Sequence, residues 1–405
     1  MDTSKNYSIL NCIGRTAFIG ASTRCLLTNG FTGAVLKGSN RKDKELVYNY
    51  TSTYESLPIS VKVHNNLYIY DPYAFFFTNT LESKQIIEDG IKVIQEKFPD
   101  LLDNCYFDVF LKRSCKPKGV IGKTLSQLIE SNPNLFMKTS SLRVMQFFNN
   151  AFKKSKNIPT MEEVKLLIGK CDALTAWGLL TIDDISKRMA IKTRFIDNFV
   201  IENYPIKQIV ILGSGFDCRA HRLPLSENHK VFEIDLPQVL DYKEKVLEEA
   251  LRIVPTMSKS KNSLIKMDLR NFDLWKEELV NSGFNPSQPT IWLMEGLLNY
   301  FTQYEIHNIL ESCGELSVSG SKVMMLTMTA TKHTQSDHLK QILTCSLLDQ
   351  YQSYIDDPDF YMKEAGFTEN IQMYSESNLL KKLAHQKDSN LEKWNLYSYT
   401  IGTMK

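Results

Sequence analysis

The second half of the chain predicts an α/β fold, a parallel sheet with helices on both faces, and three observations carry that expectation. From residue 207 onward, short β-rich runs alternate with helical segments. The first run ends in a Gly213-Ser214-Gly215 loop. Acidic residues then stand at the ends of the later runs, as Asp235, Asp268 and Glu295.

The elements can be justified in order. A helix is expected at Thr16–Leu27, where Ala17, Cys25 and the leucines form one apolar face. The polar stretch from Lys37 to about Ser60 reads as a loop or excursion. Tyr68–Phe77 is dense in aromatics and contains Asp71-Pro72-Tyr73 and three consecutive phenylalanines. Residues 81–200 read as mostly helical. Ile86, Ile87, Ile91, Ile94 and Phe98 recur at helical spacing before Pro99. Apolar clusters follow at Leu125–Ile129, Val144–Phe152 and Val164–Ile168. A last helix, about Asp183–Glu202, turns Ile185, Met189, Phe195, Phe199 and Val200 inward and carries Arg188 and Lys192 on other faces.

The strand candidates are Gln208–Leu212, Lys230–Ile234, Ser263–Met267, Thr290–Met294 and Lys322–Thr327. Helix candidates between them are Gln238–Leu251, Phe272–Val280 and Tyr304–Leu316, the last with Ile306, Ile309, Leu310 and Cys313 on one face. Two further strands, near Thr368–Tyr374 and Asn395–Thr403, could close the sheet edge.

Composition fits a globular protein large enough for one big domain or two ordinary ones, with 405 residues, 43% hydrophobic and 23% charged. A net charge of +2 gives no ground for a nucleic-acid-binding protein. Met1–Leu10 is polar and lacks a basic region followed by an apolar run, so no targeting leader is expected. No uninterrupted apolar stretch of about 18 residues predicts a membrane span. The eight cysteines contain no Cys-x-x-Cys pair, the pattern of buried thiols in a reducing compartment. A cytoplasmic setting and no metal site are the expectations.

The chemistry sits at the strand ends. Glycines at the carboxyl end of a first strand let the backbone turn tightly and let a ligand approach the main chain. A dinucleotide site would want a third glycine where this chain has Cys218, which counts against a nicotinamide cofactor. An acid at the end of the second strand can accept from both hydroxyls of a ribose. Glu233 and Asp235 lie on the same side of that strand, so one can bind ribose while the other caps the helix begun by Pro237. Asp268 could accept from an adenine amino group while Leu269 packs against the ring. Glu295 lies between apolar residues, where a carboxylate needs a partner, and a sulfonium with its ammonium would suit it.

Three stretches resemble the leucine carboxyl methyltransferase family, and most closely its bacterial-type O-methyltransferase branch. They are Arg188–Asp197 with Ile211–Leu223, then Phe232-Glu233-Ile234-Asp235-Leu236-Pro237, then Met294-Glu295-Gly296-Leu297-Leu298-Asn299-Tyr300-Phe301. Gly14-Arg15-Thr16-Ala17 and Tyr70–Ala74 match weaker elements. The resemblance covers about residues 181–330. It implies a class I methyltransferase fold, a Rossmann-like seven-stranded sheet with an added helical cover, and S-adenosylmethionine as cofactor. On that basis residues 1–180 are the N-terminal segment and cover, and residues 181–405 the cofactor-binding core. By position, Arg188 and Arg15 would meet the methionine carboxylate, and Gly213 and Gly215 would form the close loop. Asp235 would hold the ribose, Asp268 and Leu269 would frame the adenine, and Glu295 would face the amino group. Cys218 and His221 depart from the branch's usual threonine and tyrosine, and residues 34–66 and 101–180 lengthen the chain between its motifs.

Methyl transfer from a sulfonium is an in-line substitution, so alignment is the main task. A carboxylate acceptor needs no base, whereas a hydroxyl benefits from one. Tyr300 and His221 are the catalytic candidates; His307, His333 and His338 read more simply as surface or core residues. A small-molecule acceptor is expected ahead of a partner protein's C-terminal carboxylate, with a non-enzymatic binding protein as the third reading.

Overall fold

A computed structural model describes residues 14, 16–25, 69, 71–78, 80–97, 184–328, 351–384 and 395–405. The expected helices between residues 101 and 180, together with Arg15, His333 and His338, lie outside the described residues.

In chain order the elements are α1 over residues 16–25, α2 at Ala74–Thr78, α3 at Leu81–Lys97 and α4 at Asp184–Glu202. There follow β1 (Gln208–Leu212), α5 (Arg219–Arg222), β2 (Lys230–Asp235), α6 (Pro237–Ile253), β3 (Lys261–Lys266) and α7 (Phe272–Asn281). Next come β4 (Thr290–Met294), a 3-10 turn at Leu298–Tyr300, α8 (Gln303–Glu315) and β5 (Lys322–Met328). The tail adds α9 (Pro358–Glu364), β6 (Glu369–Ser375), α10 (Glu376–Ala384) and β7 (Tyr397–Thr403).

The strands form one seven-stranded sheet in the order β3-β2-β1-β4-β5-β7-β6. β1 to β5 pair in parallel, and β7 runs antiparallel to both of its neighbours. This is the class I methyltransferase sheet that the family resemblance implies. The order reverses at β1, which lies between β2 and β4, so the crevice at the carboxyl ends of these strands is the expected ligand site.

The central strands β1 and β4 are buried on both faces, which is why they read as continuous apolar runs. On one face α7, α8 and α9 cover Val210, Phe232, Trp292 and Met325 with Trp275, Ile309 and Met362. On the other, α4, α5 and α10 cover Ile211, Leu293 and Leu326 with Ile196, Ala220 and Leu379. α8 starts on a capping box in which Thr302 and Glu305 satisfy each other's backbone N–H. α9 and α10, both short, were not apparent from sequence periodicity.

Candidate active site

The loop after β1 owes its shape to two glycines at positive φ, Gly213 at +62° and Gly215 at +48°. A Cβ on Gly213 would collide with Leu297 beyond β4, and one on Gly215 would come within 3.2 Å of the Ala17 Cβ of α1. The close approach therefore serves packing as well as any ligand. Gly213 N–H donates to the Ile234 carbonyl at 2.8 Å, which ties the loop to the end of β2.

Asp235 closes the loop. Its Oδ2 accepts from Gly215 N–H and its Oδ1 from Leu236 N–H, each at 2.7 Å. Burial raises the Asp235 carboxyl to about 6, against the pull of those two donors. A carboxylate has about four acceptor positions; the two bonds leave room for a diol. Ser214, between the glycines, has a buried hydroxyl with no partner.

Glu233 has a different fate. It is fully buried, ion-paired with Lys243 of α6, and accepts from Asn262 Nδ2 at 2.9 Å. It neither faces the loop nor caps α6, which starts on Leu236 without a side-chain cap. Of the two acids on β2, Asp235 alone stands at the loop.

Glu295 follows β4. The partners it needs include protein cations: it accepts from Arg219 Nη1 at 2.7 Å and meets Lys192 Nζ at 3.0 Å. Burial would raise its carboxyl, but Lys192, Arg219 and Arg24 hold it well below the usual range. These contacts belong to a wider buried lattice. Arg219 Nε donates to Asp197 Oδ1 at 2.7 Å, and its Nη1 pairs with Asp217. Arg222 grips both Asp197 oxygens at 2.6 and 2.7 Å. Arg24 of α1 donates to Asp71 at 2.7 Å and to the Phe216 carbonyl at 2.8 Å. Asp71, Asp197, Asp217 and Glu295 thus balance Arg24, Lys192, Arg219 and Arg222.

The other expected residues fall less simply. Arg188 points to Glu376 at the start of α10, with which it forms a buried ion pair. Asp268 is partly exposed and accepts from Arg270 N–H at 2.9 Å. The Leu269 side chain lies in the core with Phe232 and Trp275. Tyr300 donates its hydroxyl to Thr16 Oγ1 of α1 at 3.0 Å and sets its ring on Tyr351. His221 stands on α5 with its ring edge-on to Tyr73, and burial lowers its pKa. His307 is partly exposed on α8. Among the described residues no cluster of His, Cys, Asp and Glu could hold a metal ion, and no helix is long and apolar enough to cross a membrane.

Roles for Arg24, Asp71, Asp197, Asp217, Arg219 and Arg222 did not emerge from the sequence. Their available signal was the density of charge in Asp217–Arg222 directly after a buried strand, where ions require partners.

The sheet order and the loop between β1, β2 and β4 define the fold class of S-adenosylmethionine-dependent methyltransferases. Within it, residues 171–314 match the leucine carboxyl methyltransferase family, and the resemblance carried by the motifs holds over that stretch. A relative from Mycobacterium ulcerans, named "Putative S-adenosyl-L-methionine-dependent methyltransferase", is 36% identical over 162 residues, 40% of this chain and 48% of its own length. One from Mycolicibacterium smegmatis with the same description is 40% identical over 152 residues, 37% of this chain and 47% of its own. The chain thus spans about half the length of these curated relatives. The crystal structure titled as a putative methyltransferase from Thermobifida fusca aligns at 16% identity with a TM-score of 0.40, over 64% of this chain and 98% of that one.

Proposed function

We propose that the chain is an S-adenosylmethionine-dependent O-methyltransferase acting on a carboxylate or hydroxyl of a small molecule. The observation that carries the reading is Asp235 at the end of β2, bonded to the Gly215 N–H and retaining free acceptor positions. The unpartnered Ser214 hydroxyl beside it supports a ligand with polar groups at this loop. The relatives' names point to the same cofactor.

S-adenosylmethionine, when bound, supplies the methyl group. Asp235 would hold the ribose and Glu295 the amino group, with Gly213 and Gly215 keeping the backbone close. Asp268 would meet the adenine. α1 lies over the loop through Ala17 and Arg24 and helps exclude water. Residues 1–180 would supply the acceptor side and residues 181–405 the cofactor side. Tyr300 follows the β4 end with its hydroxyl on Thr16, and it would orient an acceptor between the two parts. Burial lowers the His221 pKa and so favours the neutral form, in which a histidine can accept a proton. Calorimetry with S-adenosylhomocysteine tests the cofactor. Transfer of labelled methyl to small carboxylic acids and phenols tests the acceptor; labelling of a protein's C-terminal carboxylate instead would favour the carboxyl methyltransferase reading that the family match suggests. Binding without transfer to any acceptor would favour a non-enzymatic binding protein.

A further inference from the structure

The β4–β5 side of the site is built apart from the glycine loop. Met294 at the end of β4 pairs with Met325, so Thr327 lies beyond that pair, at the end of the sheet where Glu295 follows β4. Thr327 shares a sheet face with Met325 and Thr400, because side chains alternate along a strand and Thr400 is the β7 partner of Met325. Both threonines are fully buried, and neither hydroxyl has a partner. Tyr300 belongs to the core cluster of Met325 on that face, and Tyr351 packs against it.

Residues 351–355 form no helix or strand, yet they are fixed in place. Asn299, itself buried, donates from Nδ2 to the Met328 carbonyl at 3.2 Å and to the Ser353 carbonyl at 2.9 Å. Its Oδ1 accepts from the Met328 N–H at 3.2 Å. Gln352 Nε2 donates to the Tyr300 carbonyl at 2.9 Å, and Ser353 Oγ to the Phe301 carbonyl at 2.6 Å. The Tyr351 ring is thereby held edge-on to Tyr300 with centroids 4.9 Å apart, and Tyr354 edge-on to Tyr351 at 6.4 Å. Tyrosine rings fixed by the backbone, beside strand hydroxyls that lack partners, suit a planar ligand carrying a hydrogen-bonding group.

Charge selects the class of that ligand. Lys192 and Arg219 are already paired with Glu295. Arg270 comes within 3.4 Å of the Tyr300 carbonyl, but Asp268 and Glu305 hold it at 3.3 and 3.0 Å. Burial pushes the Tyr351 hydroxyl well up, and the neighbours that act on it are Tyr397, Tyr300 and Tyr354, not a cation. A carboxylate arriving there would be desolvated without a match, whereas a phenol arrives neutral.

We propose that the acceptor is an aromatic hydroxyl compound, bound against Tyr300 and Tyr351 with Thr327 as a hydrogen-bond partner, and that Tyr351 and Thr327 set the preference for a phenol over a carboxylate. The phenol oxygen bonds the methyl carbon as the carbon–sulfur bond breaks, sulfur keeps that electron pair, and the hydroxyl proton passes to solvent. This rests on the methyltransferase reading above and narrows its acceptor.

The test is calorimetry on the full chain loaded with S-adenosylhomocysteine, comparing naphthol with naphthoate, which share a ring and differ in the acceptor group. At about pH 7 the first is neutral and the second charged. Naphthol should bind about tenfold tighter or more, and labelled methyl from S-adenosylmethionine should appear on it alone. Thr327→Val keeps the shape and removes an orphaned hydroxyl, so it should fold at least as stably as wild type. It should weaken naphthol binding about threefold, and Tyr351→Leu about tenfold, each with S-adenosylhomocysteine affinity unchanged. Naphthoate binding as tightly as naphthol, no binding of either, or an unchanged naphthol affinity in either variant overturns the proposal and leaves the cofactor reading standing. Absence of S-adenosylhomocysteine binding overturns both.

Discussion

Removing Lys243 should destabilise the chain strongly, and removing its partner as well should restore it. Lys243 and Glu233 have side chains fully withdrawn from solvent, and they pair across α6 and β2. Lys243→Met leaves the Glu233 carboxylate with only the Asn262 amide, at 2.9 Å. Breaking a buried pair by deleting one partner costs about 3–5 kcal/mol. At roughly 2 °C per kcal/mol for a large domain, that is a fall of about 6–10 °C in Tm. Glu233→Gln added to Lys243→Met removes the stranded charge and keeps an acceptor for Asn262, so the double variant should lie within about 1 kcal/mol of wild type. Thermal and urea unfolding followed by circular dichroism measure both. The same variants decide the ribose role. If Asp235 alone serves it, the double variant keeps its affinity for S-adenosylhomocysteine. A loss of less than about 1 kcal/mol in Lys243→Met would refute the buried-pair reasoning. A tenfold or greater loss of affinity in the double variant would give the ribose to Glu233.

Asp235→Ala should weaken S-adenosylhomocysteine binding by about 1–3 kcal/mol in calorimetry, the cost of unpaired polar groups; an unchanged affinity would remove Asp235 from the site. Because burial raises the Asp235 carboxyl to about 6, cofactor affinity should be level above that pH and fall below it as the acceptor is protonated; Asp235→Asn should lose this dependence. The same shift has a stability sign. With its folded pKa above the unfolded 3.8, the folded state binds the proton more tightly, so Asp235 lowers stability as pH rises from about 4 to about 6, and Asp235→Ala should flatten that limb of a pH–Tm profile. Gly213→Ala should destabilise by more than about 1 kcal/mol through its positive φ and the clash with Leu297, and adding Leu297→Ala should recover only the steric part.

The sheet was legible where burial is complete. β1 and β4 match their expected bounds because every residue in them is buried, so the apolar run and the strand coincide. β3 starts at Lys261, earlier than its apolar run, because an edge strand can open on residues exposed to water. In the site, Gly213, Asp235 and Glu295 were legible as strand-end residues, since a sheet brings consecutive strand ends together. Their partners were not. Arg24 and Phe216 are 192 positions apart, and Arg188 and Glu376 are 188 apart, separations that no spacing rule detects.

The charge balance of the buried lattice bears on which nucleoside the loop would accept. Glu295 already has Arg219 and Lys192, and Arg188 already has Glu376, so a ligand charge can enter only by exchange with a group of the same sign. An amino acid moiety brings one charge of each sign. In the proposed reading its ammonium would replace a cation at Glu295 while its carboxylate would replace an anion at Arg188, and the buried total would not change. A nucleotide phosphate brings negative charge alone to a loop already lined by Asp217, Asp235 and Glu295, with no cation released to meet it. Desolvating that unmatched charge is costly. The same loop geometry would serve either ligand, so under the proposed residue roles it is the paired acids and bases that would favour the zwitterion.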